Sequence, residues 1–92
     1  MERLLAFVNI FVESPTLVDV VQALSELANV EQLYEVTGEA DIVILVTATD
    51  IEEFRDLLKN RVQKIKGVKS TISSIVLNTV KRVRDGSQTS ES

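Results

Sequence analysis

The sequence predicts an α+β sandwich, a four-stranded antiparallel sheet with two helices on one of its faces. Three observations predict it. Apolar β-rich runs and helix-periodic runs follow one another in the order βαββαβ along 92 residues. Two of the strand-like runs are nearly all apolar, whereas the other two carry many polar residues. Finally, Leu27, Asn29 and Val30 are echoed by Ile65, Gly67 and Val68 at an offset of 38, so the chain reads as two similar βαβ halves. Two interlocked βαβ halves make a ferredoxin-like sheet of strand order 4-1-3-2. That order puts strands one and three at the centre, where apolar residues are expected on both sides. The runs at 4–12 (LLAFVNIFV) and 42–48 (IVILVTA) are the first and third.

Each element has its own signals. Residues 4–12 form the first strand, and Ser14-Pro15-Thr16 ends it. Thr16, with Asp19 three residues on, has the spacing of a capping box. The helix it opens places Leu17, Val20, Val21, Leu24, Leu27 and Ala28 on one side, and Asn29 is expected to end it in the left-handed conformation. Residues 30–37 alternate polar and apolar and form the second strand. Gly38, expected at positive φ, opens the turn 38–41 that leads into strand three. Thr49 or Asp50 caps helix two, with Glu52 and Glu53 in the first turn, where the helix dipole favours acids. Its apolar stripe is Ile51, Phe54, Leu58, Val62 and Ile65, and Gly67 stops it. The last strand runs from residue 68 to about residue 84. The domain therefore spans 1–84, and the polar end 85–92 (DGSQTSES), with nothing to bury, is expected to be disordered.

Composition narrows the chemistry. A chain of 92 residues makes one domain. Folding at this size buries only ~60–65% of the exposed chain surface, so the core is marginal and oligomerisation would help it. No apolar run approaches the ~18 residues of a membrane span. The N-terminus lacks the basic start of a signal peptide. A cytoplasmic protein with no membrane partner is expected. There is no histidine and no cysteine, which removes the usual general base and the soft metal ligands. Neither GxGxxG nor GxxxxGK[ST] occurs, so nucleotide phosphates lack a cradle and no cofactor is expected. Asp50, Glu52, Glu53 and Asp56 read as helix-end and solvated charges, not as a metal site.

Net charge is −4, unevenly spread. Residues 1–46 hold eight acids and one base; residues 47–92 hold six acids and nine bases. Such polarity favours head-to-tail association and gives no general basic footprint for nucleic acid. The cluster Lys81-Arg82-Val83-Arg84 is too short to track a phosphate backbone. Strand three lacks the aromatics on which RNA bases would stack.

Two helices can cover only one face of the sheet. On strand one, Leu4, Ala6, Val8, Ile10 and Val12 form one side, and Leu5, Phe7, Asn9 and Phe11 the other. On strand three, Ile42, Ile44, Val46 and Ala48 oppose Val43, Leu45 and Thr47. Both sides are apolar, so at least four large side chains stay on the open face of a single chain. Each is worth ~1.5–3 kcal/mol when buried, against a total stability of ~5–15 kcal/mol for a small domain. A homodimer packed sheet to sheet through Leu5, Phe7, Phe11, Val43 and Leu45 is therefore expected.

The stretch 36–50, VTGEADIVILVTATD, joins the turn to the most apolar strand. Read by itself, Gly38 supplies φ and Asp41 hydrogen-bonds the turn backbone. In company with the later "IKGV" and "KSTISSIVL", the stretch resembles the ligand-sensing (RAM) domain of the Lrp/AsnC feast-famine regulators. Val30, Val36, Thr37, Gly38 and Asp41 match that family's first motif, and Gly67, Val68, Thr71 and Ser73 its second, over roughly residues 3–80. The resemblance implies dimers through the sheet faces, assembling into tetramers or octamers. It also implies small amino-acid effectors held between dimers near the turn. The positions carried over for ligand binding are Thr37, Gly38, Asp41, Thr71 and Ser73. Backbone N–H groups around Gly38 and the hydroxyls of Thr71 and Ser73 suit the effector carboxylate. Asp41 suits its ammonium, or orients the loop. Ala40 stands where many members have a bulkier residue, often Tyr, so selectivity is expected to differ.

Full-length members of that family carry an N-terminal helix-turn-helix, whereas this chain starts at Met1 in the sensing domain. It is expected to be a stand-alone effector-binding and oligomerisation module with no catalytic residue and no direct nucleic-acid contact. It would act alone or with a DNA-binding relative. Two other readings stay open: a cofactor-free enzyme of the dimeric ferredoxin-like barrel type, and a structural oligomeric adaptor. A polar cavity between sheet and helices would favour the enzyme.

Overall fold

Residues 3–82 are described in the structure, a computed structural model. The elements are β1 (Leu4–Val12), α1 (Leu17–Ser25), β2 (Val30–Glu35), β3 (Ile42–Ala48), α2 (Ile51–Asp56) and β4 (Val68–Ile75). A 3-10 turn, Ser14–Thr16, precedes α1, and a π-helical turn, Leu57–Val62, continues α2. The sheet order is β2-β3-β1-β4, with every neighbouring pair antiparallel. This is the predicted 4-1-3-2 order read from the opposite edge, and β1 and β3 are central.

Strand alternation sorts the side chains. Ala6, Val8, Ile10 and Val12 of β1 join Ile42, Ile44, Val46 and Ala48 of β3 in one buried cluster. Val20 and Leu24 of α1, Phe54 of α2, and Leu57 and Val62 of the π-helical turn complete that core. The alternate residues of both strands stand on the open face. Leu57 was not in the predicted stripe, and Ile51, which was, is 41% exposed. The π-helical turn explains the first difference. The N–H of Gln63 donates to the carbonyl of Leu58 at 2.9 Å, a five-residue step. That step stacks Val62 beneath Leu57, where an α-helical repeat would have turned Arg61 inward.

Asp50 is the α2 cap: its carboxylate accepts from the N–H of Glu53 at 2.8 Å. Glu53 answers by accepting from the Thr49 N–H at 2.6 Å and the Thr49 hydroxyl at 2.8 Å. The Thr49 N–H does most to hold the Glu53 carboxyl below the usual glutamate range. The Thr49 hydroxyl, the Asn29 amide and the charge of Arg3 act in the same direction, and slight desolvation opposes them.

Several expected boundaries are corrected. Thr16 makes no capping box with Asp19, because its hydroxyl donates to the Glu13 carbonyl at 2.7 Å and closes the 3-10 turn. α1 stops at Ser25, short of Leu27 and Ala28. Asn29 is not left-handed, since no described residue other than glycine has positive φ. Instead its amide donates to the Thr47 carbonyl at 2.8 Å, and its own carbonyl accepts from the Thr47 N–H at 3.0 Å. β2 ends at Glu35 and not at residue 37, because the Val36 N–H donates to the Asp41 carbonyl at 3.1 Å and starts the turn. β4 ends at Ile75, after one further bond from the Val76 N–H to the Leu5 carbonyl at 2.9 Å. The expected extension to residue 84 reaches beyond the described residues, as does the tail 85–92.

Both edge strands carry a register shift. Val30 and Gln32 oppose Val46 and Leu45, so Glu31 is the extra residue in β2. Val68 and Ser70 oppose Val12 and Phe11, so Lys69 is the extra residue in β4. Gly67, just before β4, has φ +103. Its carbonyl accepts from the Glu13 N–H at 2.8 Å. A Cβ at this position would meet Thr16 Cβ at 2.7 Å, so both backbone angle and space call for glycine. No helix among the described residues is long and apolar enough to cross a membrane.

Candidate ligand site on the open sheet face

The turn between β2 and β3 is held at both ends. The Asp41 N–H donates to the Ile10 carbonyl at 3.0 Å, and the Asp41 carboxylate accepts from the Val12 N–H at 2.8 Å. Val12 lies where the β1–β4 register shifts, and Asp41 takes up its N–H there. Gly38 has φ +122, yet an added Cβ would meet nothing within 4 Å. It serves the backbone angle alone and leaves the turn surface clear.

Beside this turn, on the open face, lies a solvent-open hollow of about 420 Å³. Phe11 of β1, Val43 of β3 and Ile72 of β4 supply apolar surface. Val36, Thr37, Glu39 and Ala40 of the turn region form one rim, and Asn9 adds an amide. The size is within the ~300–1,000 Å³ of small-molecule sites. Thr37, Asn9 and Glu39 offer polar groups, and no lining residue is basic. A second hollow, of about 530 Å³, lies at the other end of the face. It is bounded by Arg3, Leu5, Thr47, residues 76–79 and Arg82.

The five residues predicted for ligand binding fall into two groups. Thr37 lines the hollow, Gly38 turns the chain beside it, and Asp41 anchors the turn to β1. Thr71 and Ser73 are opposite Ile10 and Val8, and so point to the helix-covered side at the β4 edge. The Thr71 hydroxyl accepts from the Gln63 amide at 3.1 Å. The five therefore do not share one face of a single chain. The predicted interface residues Leu5, Phe7, Phe11, Val43 and Leu45 do share one. Phe7 opposes Leu45 across the β1–β3 ladder and is 42% exposed. Phe11 and Val43 of this set also line the hollow.

Asn9, Glu39 and Ile72 line the hollow and were not singled out by sequence. Asn9 left a signal, being the only polar residue in the β1 run. Between sheet and helices the packing is apolar: among the described residues the one buried polar residue is Thr47, and it belongs to the open side. No three carboxylates among the described residues converge as metal ligands would.

Comparison with known proteins adds a family. A family model described as the Lrp/AsnC ligand binding domain matches residues 5–85. An uncharacterized HTH-type transcriptional regulator of Pyrococcus abyssi is 37% identical over 80 residues, covering 87% of this chain and 50% of that protein. The chain thus spans about half the length of the curated regulators it matches. A homocitrate synthase of Sulfurisphaera tokodaii is 36% identical over 58 residues, covering 63% of this chain and 12% of the enzyme. Among solved structures, E. coli AsnC superposes with a TM-score of 0.85 at 26% identity, covering 89% of this chain and 56% of AsnC. A feast or famine regulatory protein from M. tuberculosis, complexed with L-methionine, gives 0.76 at 35% identity, covering 89% and 55%.

Proposed function

The chain belongs to the Lrp/AsnC ligand-binding domain family, and from that premise we propose that it is an amino-acid-responsive assembly module. Copies pack through the open sheet face as dimers and build tetramers or octamers from them. A small amino acid bound beside the turn at 36–41 biases that assembly, alone or together with a DNA-binding relative. One observation carries this reading: the hollow beside the turn opens onto the same apolar face that no helix covers. Ligand and neighbouring copy would meet along one surface.

The parts suit these tasks. Leu5, Phe7, Phe11, Val43 and Leu45 keep exposed area that a second sheet would bury, at ~1.5–3 kcal/mol per large side chain fully buried. Asp41 sets the turn position. Thr71 and Ser73 sit on the other side of the sheet, so their hydroxyls enter this reading only at a contact between copies. The methionine complex of the M. tuberculosis relative supports an amino acid as the ligand class. The segment shared with homocitrate synthase is 12% of that enzyme, which favours regulation over catalysis. A ligand acting on assembly in this way typically contributes ~1–3 kcal/mol of coupling.

Calorimetry against the twenty amino acids, with light-scattering mass measured with and without them, tests the proposal. Saturable heat for at least one amino acid and a shift in mass distribution are expected. No heat with any amino acid, together with an unchanged mass, would sink it.

A further inference from the structure

The segment 76–82 (VLNTVKR), which follows β4, carries Val, Leu and Thr where an exposed loop is normally built of Gly, Pro, Asn, Asp and Ser. It has nonetheless left the sheet, because β4 outruns its neighbour. The Val76 N–H still reaches the Leu5 carbonyl at 2.9 Å, but β1 itself begins at Leu4. No residue from Leu77 to Arg82 makes a main-chain hydrogen bond to another described residue. Leu77 and Val80 are 95% and 89% exposed. The segment stands at one end of the open face, where Leu77, Asn78, Thr79 and Arg82 wall the second hollow together with Leu5 and Thr47. A strand-like arm thus lies beside the surface through which copies are proposed to pack.

We infer that this arm is exchanged between the two copies of the sheet-to-sheet dimer, the reading on which the inference rests: residues 77–82 of each copy cross the seam and lie against the start of β2 in the other. Register and charge choose that target. Ile75, Ala6, Val46 and Val30 stand on one level across the sheet, so the arm leaves at the height where β2 begins. A two-fold axis parallel to the strands lays β4 of one copy over β2 of the other, whereas an axis across the strands lays β4 over β4. β2 holds Glu31 and Glu35 and no base; β4 and the arm hold Lys69, Lys81 and Arg82 and no acid. The first arrangement brings opposite charges together and the second stacks like ones. Six extended residues span ~20 Å, enough to cross the ~10 Å between stacked sheets. Lys81 and Arg82 then face Glu31 of the partner subunit, while Leu77 and Val80 close the end of the sandwich. β2 is an edge strand, so its outer main-chain groups have no strand beside them among the described residues and can take the arm. Two reciprocal arms use both β2 edges and close the pair.

The full chain tests this, and its lack of cysteine gives a clean background for cross-linking. A Val80→Cys chain and a Glu31→Cys chain are mixed, left to exchange subunits and treated with a bifunctional maleimide. The mixed pair should be the main linked product. Lys81→Glu combined with Arg82→Glu should weaken dimerisation about tenfold in dilution light scattering, and Glu31→Lys added to that chain should recover most of the loss. Glu31→Gln, which keeps an acceptor for the Thr47 hydroxyl, should weaken the dimer by a smaller factor. High salt should erase these differences. All four positions are exposed, so the variants should keep the circular dichroism spectrum of the parent. Val80 linked chiefly to Val80, or an unchanged dimer constant in the Lys81 and Arg82 variant, would overturn the arm and leave the sheet-to-sheet dimer standing. A parent chain that stays single at every concentration would bring down the dimer and the arm together.

Discussion

Val8 and Asn9 are adjacent in the chain and belong to two different surfaces. Val8 is 1% exposed, packed with Ile44 in the cluster under the helices. Asn9 stands between Val43 and Ile72 on the open face and borders the hollow. The covered face is completed by the chain's own helices, so its residues answer to stability. On the open face, Phe7 and Ile72 remain 42% and 56% exposed, so its residues add little to the single chain's stability and are left for the proposed association. The contrast separates two kinds of mutational outcome that composition alone would merge, since both faces are apolar.

The sharpest way to break this contrast is Phe7→Lys. It should abolish association at micromolar concentration while the separated chain keeps its circular dichroism spectrum; unfolding of the chain would mean that Phe7 belongs to the core. Ile44→Ala, on the covered side, should destabilise by ~2–5 kcal/mol in denaturant titration, as cavity-forming core substitutions do. Leu45→Ala, one residue on, should lose markedly less when measured on the monomer. The two positive-φ glycines sharpen the same division. Gly67→Ala combines strain with a clash against Thr16 and should lose ~2–3 kcal/mol. Gly38→Ala meets open space and should lose only ~1 kcal/mol.

The smallest effect concerns pH. The folded-state pKa of Glu53 lies below its ordinary value of 4.5. Its contribution is therefore fully present above that value and is lost as pH falls through the lower folded value. The melting-temperature gap between the parent and Glu53→Ala should be constant near neutrality and close on acidification. A gap that persists in acid would assign the effect to packing and not to the carboxylate.

Much of the architecture was legible in the sequence, for identifiable reasons. β1 and β3 have the boundaries that their apolar runs gave, because central strands must be apolar on both sides. Gly38 was readable as a positive-φ turn residue and Gly67 as the stop after helix two, and both have positive φ. The face taken by Thr71 and Ser73 was not legible. A single extra residue reverses the side on which all later residues fall, and Lys69 carries no local mark of being that residue. The bond from Val12 to Asp41 joins positions 29 apart and depends on the tertiary fold. The π-helical turn was hidden too, since Leu57 and Val62 are out of phase in any 3.6-residue pattern. The hollow assembles Asn9, Glu39 and Ile72 from three separate segments, and of these only Asn9 interrupts an otherwise uniform run.

The extra residues Glu31 and Lys69 have a consequence for solubility. An open-ended sheet is a template for unlimited lateral growth, one strand upon the next, into fibrils. Here each outer margin is interrupted by a charged residue that breaks the regular spacing of main-chain donors and acceptors. Lateral propagation is thereby discouraged, and association through the broad apolar surface, as proposed above, would close into particles of finite size.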